Sequence, residues 1–256
     1  MQIKRDEIIN TIVKSLEPID YVNTLWEGGA AAFDRVDEWS DIDIAVIAND
    51  DKVDDVFSVV DKALADLSPI EIEFVIPPPG WHGIAQKFYR LENTSRFHVI
   101  DLSVIKLSGE NKFMEPVIHG RSKVHFDKIN LFANYKSEGD SIKAQARARI
   151  PGLKTSFDLF ETLPEKEFNR GNNIEALQFY FGFILRPLVE ALRIKYKPER
   201  YNFHTRYVQY DLPAEEVEKL QSLFYIASPS ELPVKQVTAK KWLLEIIGEI
   251  ECQQTG

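Results

Sequence analysis

Cysteine is almost absent from this chain of 256 residues, in which Cys252 stands alone. An internal disulfide is therefore impossible, and a zinc site built from cysteines is excluded. The five histidines show none of the spacings typical of zinc motifs. No uncharged apolar stretch reaches the length of about 18 residues that a transmembrane helix needs, so no membrane span is predicted.

Several catalytic motifs are also missing. The sequence contains no GxGxxG, GxxxxGK[ST] or GxSxG pattern, which argues against dinucleotide-binding, P-loop and α/β-hydrolase proteins. Its first ten residues, MQIKRDEIIN, carry charges where a secretory signal peptide needs an apolar stretch. We therefore expect a cytoplasmic protein that has no membrane partner.

Acidic residues outnumber basic ones, 40 to 31, which gives a formal net charge of −9. Such a chain is a poor candidate for binding long nucleic acids, because phosphate contacts need clustered Lys and Arg. Residues 136–210 are an exception, with 13 basic and 9 acidic side chains and a local net charge of +4. This part could bind a small anion such as a nucleoside triphosphate, or its charges could belong to ordinary helix surfaces.

Hydrophobic periodicity changes near residue 135. Before that point the pattern predicts helices at residues 5–16, 51–67 and 83–91, and strands at residues 42–47, 70–76, 97–105 and, at an edge, 117–126. After it the pattern predicts helices at residues 141–162, 173–196, 214–227 and 237–250, with Pro151 and Pro187 as kinks or breaks. The sequence thus predicts an α+β protein, with a mixed sheet and flanking helices in residues 1–135 and a helical bundle in residues 136–256.

The most informative segment is residues 26–47, WEGGAAAFDRVDEWSDIDIAVI. Gly28 and Gly29 end a short apolar segment, and 11 residues separate them from Asp41 and Asp43 at the start of a predicted strand. Residues i and i+2 of a strand point to the same face, so the two carboxylates are predicted to lie side by side. Mg²⁺ stabilises such a pair, usually together with substrate phosphate oxygens, and glycines let the backbone approach a phosphate closely.

This combination resembles the DNA polymerase β-type nucleotidyltransferase superfamily, whose fingerprint joins a Gly-Gly or Gly-Ser turn to an Asp-x-Asp strand. Gly28, Gly29, Asp41 and Asp43 fill those places, and Ser40 stands before the first Asp as in the smaller members. The order of predicted elements is similar to that of the small, antibiotic-modifying adenylyltransferases. The alternative is a glycine turn before an acidic strand that fits the pattern by coincidence.

The resemblance implies a third carboxylate on a later strand. Asp101 is one candidate, within the apolar run FHVIDLSVI; the alternative for this residue is a buried Asp paired with an Arg. Glu71 and Glu73 are the competing candidates, although the alternation of IEIEFVI would equally give them a solvated strand face. Asp101 is the preferred choice.

The resemblance also implies a mechanism. Asp41 and Asp43, with Asp101 as a third ligand or as the general base, would hold Mg²⁺ or Mn²⁺ on ATP or another nucleoside triphosphate. Gly28, Gly29 and Ser40 would contact its phosphates. The basic, aromatic segment RIKYKPERYNFHTRY offers Lys195 as a further phosphate ligand. The alternative is that these basic residues stabilise the C-terminal end of a helix dipole and bind no ligand.

Two classes of function follow. The first is a nucleotidyltransferase that moves a nucleoside monophosphate, AMP from ATP, onto a hydroxyl of a small-molecule acceptor such as an aminoglycoside-like polycation, which an acidic cleft would suit. A related version would adenylylate a protein partner, as antitoxin-type members do. The second class is a catalytically silent nucleotide-binding module. Because an acidic residue is present at each of the three expected positions, Asp41, Asp43 and Asp101, the sequence favours the enzyme.

Overall fold

A computed structural model describes residues 2–78, 80 and 83–252 of the chain. The chain divides into two compact units, residues 1–137 and 138–256, and each is described by itself. The first unit contains the helices and strands of an α+β fold, and the described part of the second is helical. The predicted fold class is confirmed.

A six-stranded mixed sheet forms the first unit, with the strand order β3-β4-β5-β2-β1-β6. Only β2 and β5 pair in parallel; the other pairs are antiparallel. The strands are β1 (Val22–Glu27), β2 (Ile42–Ala48), β3 (Ile70–Val75), β4 (Ala85–Leu91), β5 (Ile100–Lys106) and β6 (Lys123–Asp127). The helices are α1 (Arg5–Leu16), α2 (Val53–Leu67), α3 (Pro116–His119) and α4 (Leu131–Asn134).

Helices α1 and α2 cover one face of the sheet. Each presents an apolar stripe at helical spacing, and these residues pack with the buried side chains of the strands into the main core of the unit. A smaller apolar cluster contains Trp26, Ile47, Ile105 and Met114. Because side chains alternate along a strand, Ile47 points to the same face as Asp43, two pairs of residues away. The candidate carboxylates therefore lie on the sheet face opposite α1 and α2.

A buried ionic cluster joins α1 to the end of β1. The side chain of Glu27 is fully buried and pairs with Arg5 at 2.7 Å, His125 at 2.8 Å and Lys123 at 3.0 Å. Burial acts to raise the pKa of Glu27, but the contacts with His125, Lys123 and Arg5 outweigh it, and the pKa is lowered. Glu27 is thus held as a carboxylate one residue before the Gly-Gly pair.

Two predicted elements of this unit differ in the structure. Residues 83–91 were expected to be helical, but Ala85–Leu91 is strand β4, in which Lys87, Tyr89 and Leu91 are buried. Lys87 is the charged residue on the otherwise apolar, buried side of β4. Its buried ammonium is stabilised by ion pairs with Asp61 at 2.7 Å and Glu73 at 2.8 Å. Residues 117–126 were expected to form one strand; α3 begins there, at Pro116 with Glu115 as its cap, and only Lys123–Asp127 is strand, at the sheet edge.

The second unit is formed by eight helices within the part of the chain that the structure describes. They are α5 (Gly139–Ala148), α6 (Ile150–Phe160), α7 (Leu163–Asn169), α8 (Asn173–Phe179), α9 (Arg186–Tyr196), α10 (Val208–Asp211), α11 (Ala214–Phe224) and α12 (Leu232–Cys252). A π-helical segment, Tyr180–Leu185, joins α8 to α9. The predicted helix at residues 141–162 breaks at Arg149, just before Pro151, and α7 was not predicted. None of the described helices has the length and apolar character to cross a membrane.

Candidate functional site

The Gly-Gly pair ties the end of β1 to β2. The N–H of Gly28 donates to the carbonyl oxygen of Asp43 at 3.0 Å. Gly29 begins a 3₁₀ turn, Gly29–Phe33, with φ of +49°. A β-carbon placed on Gly29 would lie 1.7 Å from Oδ2 and 2.6 Å from Cγ of Asp43. Glycine is thus required at this position both by the left-handed backbone and by the closeness of the carboxylate.

The structure brings the three predicted carboxylates to one face of the sheet. In the parallel pairing of β2 with β5, Asp43 lies directly opposite Asp101. Asp41 precedes β2 by one residue and shares the face of Asp43 by strand alternation. The intervening residues point into the core below, where Ile42, Ile44, Ile100 and Leu102 are all buried. The packing of these apolar residues fixes the register and so the carboxylates above them.

Asp101 has an amide partner on the neighbouring strand β4. Nε2 of Gln86 donates to both carboxylate oxygens of Asp101, at 2.7 and 2.8 Å. The pKa of Asp101 is raised, first by burial and then by the negative charge of Asp41, although the bonds from Gln86 and Ser103 oppose this. Within the described residues Asp101 has no ion pair, so the alternative of an Asp paired with an Arg is not what the structure shows.

The competing candidates for the third carboxylate lie elsewhere. Glu71 and Glu73 are on β3, the edge strand, from which β4 and β5 separate β2. Glu71 pairs with Arg90 at 2.8 Å and Glu73 with Lys87 at 2.8 Å. Asp101 is therefore the acid that the sheet places beside the Asp41–Asp43 pair.

Ser40 and Lys195 already have partners. The Ser40 hydroxyl donates to Oδ1 of Asp37 at 2.7 Å and accepts the N–H of Asp37 at 2.9 Å, which closes the loop just before Asp41. Lys195 lies on α9 in the second unit, where its ammonium pairs with Glu249 at 2.5 Å. A phosphate contact by either residue stays a prediction.

Sequence reasoning missed Gln86, because it assigned residues 83–91 to a helix. In β4, Gln86 lies opposite Ser103 and Phe88 opposite Asp101, so both share the face of the carboxylates. Phe74 of β3 lies opposite Phe88, with the ring centroids 6.4 Å apart. Beyond Asp101 the face is thus polar at Gln86 and aromatic at Phe88 and Phe74. The alternation of Tyr89 and Leu91 was the one signal that could have indicated a strand.

The donor set fits one hard divalent cation through two protein carboxylates. Among the described residues no three His, Cys, Asp or Glu side chains are arranged to hold a metal. Asp41 and Asp43 nevertheless supply the oxygen ligands of one face, and Mg²⁺ is commonly bound by one or two carboxylates with substrate phosphates completing its shell. Asp101 is held by Gln86, and its role as a metal ligand stays a prediction.

Comparisons with known proteins give structural neighbours but no sequence relatives. No protein-family model matches the chain, and neither does any curated protein. An aminoglycoside 6-adenyltransferase from Bacillus subtilis aligns with 97% of this chain and 90% of its own, at 15% identity and a TM-score of 0.40. A nucleotidyltransferase-like protein from Exiguobacterium sibiricum 255-15 aligns with 96% of this chain and 78% of its own, at 13% identity and a TM-score of 0.41.

The chain is thus similar over nearly its whole length to one structure described as an aminoglycoside 6-adenyltransferase and to one described as a nucleotidyltransferase-like protein. The activity of this chain is argued below from its own residues.

Proposed function

We propose that this chain is a divalent-metal-dependent nucleotidyltransferase that transfers AMP from ATP to a hydroxyl of a small-molecule acceptor. The observation that carries the proposal is the contact between Gly29 and Asp43, where the backbone approaches a carboxylate so closely that a β-carbon on Gly29 would displace it. Such a contact supports the proposal because a backbone N–H for a phosphate oxygen would then lie beside acidic ligands for the metal that the phosphates share.

The residues divide the binding of the triphosphate between them. Asp41 and Asp43 would hold Mg²⁺ or Mn²⁺, which neutralises charge on the phosphates and on the departing pyrophosphate. The Gly28 N–H is occupied by Asp43, so the amide available to a phosphate oxygen is that of Gly29, the first residue of its 3₁₀ turn. Ser40 holds the loop that presents Asp41.

Asp101 is proposed as the general base. The acceptor hydroxyl oxygen forms a bond to the α-phosphorus, the bond from that phosphorus to the bridging oxygen breaks, and pyrophosphate leaves. The hydroxyl proton passes to Asp101. Burial and the charge of Asp41 raise the pKa of Asp101, which makes its carboxylate a stronger proton acceptor. Gln86 keeps both oxygens in place without adding a positive charge.

The strand order suggests one side for each substrate. The Gly-Gly turn follows β1, Asp43 is on β2, and Asp101 and Gln86 follow on β5 and β4. In this proposal the nucleotide phosphates would bind over β1 and β2, and the acceptor over β5 and β4. The exposed acids Asp34 and Glu38, in the connection from the turn to β2, support a cationic acceptor of the aminoglycoside-like kind.

Nucleotide binding and transfer can be tested separately. We expect ATP with Mg²⁺ to raise the thermal stability of the wild type, since a ligand at 100 times its Kd adds about 2.7 kcal/mol. The double variant Asp41→Asn/Asp43→Asn should lose this shift, and Asp66→Asn, an exposed acid of α2, should keep it. Transfer is then measured as Mg²⁺-dependent pyrophosphate release with a panel of hydroxyl acceptors. Full transfer by the double variant would refute the assignment, whereas binding without transfer to any acceptor would favour the silent module.

A further inference from the structure

The second unit contains a small cavity that the proposed transferase site does not use. It is partly open to solvent, has a volume of about 140 Å³ and is lined by Phe181, Arg186, Val189, His204, Thr205 and Phe224. The rings of Phe181 and Phe224 are stacked, with centroids 5.8 Å apart. A cavity of about 150 Å³ with apolar walls can hold one benzene-sized ring. The size and the walls therefore fit a single small ring.

The rim of this cavity has positive charge without a matching acid. Nη2 of Arg186 lies 3.3 Å from Nε2 of His204, and within the described residues Arg186 has no carboxylate partner. Glu190, whose negative charge acts on His204, accepts a hydrogen bond from Arg149 at 2.9 Å. A guanidinium beside an imidazole, at the edge of an apolar cavity, is an arrangement that recognises a phosphate or carboxylate.

The loop that carries His204 is held in place by the side chain of Arg193. The buried guanidinium of Arg193 donates to the carbonyl oxygens of His204 and Arg206 and pairs with Asp211 at 2.8 Å. His204 itself has φ of +51°, in the left-handed region. Non-glycine residues in this region cost about 1–3 kcal/mol and cluster at ligand sites. The fold thus fixes the backbone on both sides of Thr205 and holds His204 in a strained conformation.

The opposite wall depends on the π-helical segment Tyr180–Leu185. The segment contains Phe181 and ends at the residue before Arg186. A π-turn inserts an extra residue into the helix and rotates the side chains that follow, and such segments are frequent at functional sites. It therefore determines how Phe181 and Arg186 are placed along this side of the cavity.

We propose that this cavity, here called the Arg186 cavity, binds a small aryl anion. The phosphate or carboxylate pairs with Arg186 and accepts a hydrogen bond from the ring of His204, and the aryl ring packs against Phe181 and Phe224. The site lies within the second unit and does not depend on the proposed transferase activity.

The test uses the full chain and four probes: phenyl phosphate, benzoate, inorganic phosphate and phenol. Calorimetric titration should show binding of phenyl phosphate or benzoate, and the tighter of the two identifies the head group. Inorganic phosphate and phenol should bind at least about tenfold more weakly, since phosphate lacks the aryl ring and phenol lacks the anionic head group. Arg186→Gln should weaken aryl-anion binding about tenfold or more, the value of a charge-assisted hydrogen bond.

Arg206→Gln is the matched control. It removes one exposed charge from the same loop, where the guanidinium contacts Tyr207 rather than the cavity, and it should bind as the wild type does. NMR of labelled histidine gives a second readout, with the His204 signal identified by its loss in His204→Asn. Burial and then the charge of Arg186 lower the pKa of His204, with Glu190 opposing and Arg193 adding to this. A bound anion should raise it.

Three results would overturn the proposal. One is the absence of binding by both aryl anions at millimolar concentration. Another is an equal loss of affinity in Arg186→Gln and Arg206→Gln, and the third is inorganic phosphate binding as tightly as phenyl phosphate. Arg186→Lys, which keeps the charge but loses the planar fork, should retain part of the affinity. Arg186→Lys thus serves as a check that the loss of affinity in Arg186→Gln does not come from a folding defect.

Discussion

The side-chain amide of Gln86 holds both carboxylate oxygens of Asp101, at 2.7 and 2.8 Å. A lysine or arginine in its place would neutralise the acid and lower its pKa strongly. An amide fixes the orientation of the carboxylate but leaves its charge uncompensated. The pKa of Asp101 therefore stays raised by burial and by Asp41. This is the combination that a base acting on a hydroxyl needs.

Removing that amide should affect the chemical step more than nucleotide binding. We expect Gln86→Leu to lower kcat about tenfold, the value of a hydrogen bond to a charged group, with little change in KM for ATP. Steady-state kinetics at saturating Mg²⁺ measures both. Arg90→Gln is the control on the same strand, since Arg90 pairs with Glu71 at the sheet edge. A raised KM for ATP with unchanged kcat would contradict the positioning role.

Gly29→Ala should remove nucleotide binding while the fold persists. The new β-carbon would displace the Asp43 carboxylate, from which it would lie 1.7 Å. It would also cost about 1–2 kcal/mol for the left-handed conformation. Gly171→Ala separates the two effects, because Gly171 has φ of +80° and no atom near its β-position. Urea unfolding should show the backbone cost alone for Gly171→Ala and at least that loss for Gly29→Ala, and only Gly29→Ala should lose the thermal shift with ATP and Mg²⁺.

Glu27→Gln should lower the free energy of unfolding at neutral pH, and its difference from wild type should shrink at acid pH. Loss of one partner from a buried ionic cluster costs about 3 kcal/mol. Because the pKa of folded Glu27 is lowered, its contribution is complete above the unfolded value near 4.5 and disappears as pH falls through the folded value. Urea unfolding between pH 7 and pH 3 should therefore show a shrinking difference from wild type. Glu17→Gln, at an exposed position, should show none at any pH.

Asp211→Asn should destabilise the second unit. Asp211 pairs with two buried arginines, Arg193 and Arg200, each at 2.8 Å. Without the carboxylate two guanidinium charges remain buried, and the free energy of unfolding should fall by about 3 kcal/mol or more. Circular dichroism during urea titration measures this loss. Asp158→Asn removes an exposed acid of α6 and should leave the transition unchanged; an equal loss in the two variants would contradict the account.

The sequence predicted those elements whose signal is local. Helix α1 has its predicted bounds, Arg5–Leu16, because its apolar stripe is complete. Strand β2 was recognisable from its β-branched run, and the family resemblance implied that Gly29 and Asp43 belong to one site. That Asp101 lies beside the Asp41–Asp43 pair was expected only from the family resemblance, since the register of two distant strands has no local signal.

Other features could not be predicted because distant partners decide them. Strand β4 was mistaken for a helix because a lysine, Lys87, lies on its buried side. The buried ammonium of Lys87 is stabilised by two carboxylates, Asp61 of α2 and Glu73 of β3. The basic segment around Arg193 was interpreted as a source of phosphate ligands or as a basic helix end that stabilises the helix dipole. In the structure Arg193 is fully buried and holds a loop. Neither partner set is visible in the residues next to it in sequence.

The parallel pairing of β2 with β5 has a kinetic consequence. The chain between Asp43 and Asp101 contains α2, β3 and β4, so their contact is far from local in sequence. Contacts of large sequence separation require loop closure and form slowly. During refolding, secondary structure should therefore appear before any affinity for ATP. A chain still emerging from the ribosome has no complete carboxylate set until β5 has been synthesised and paired.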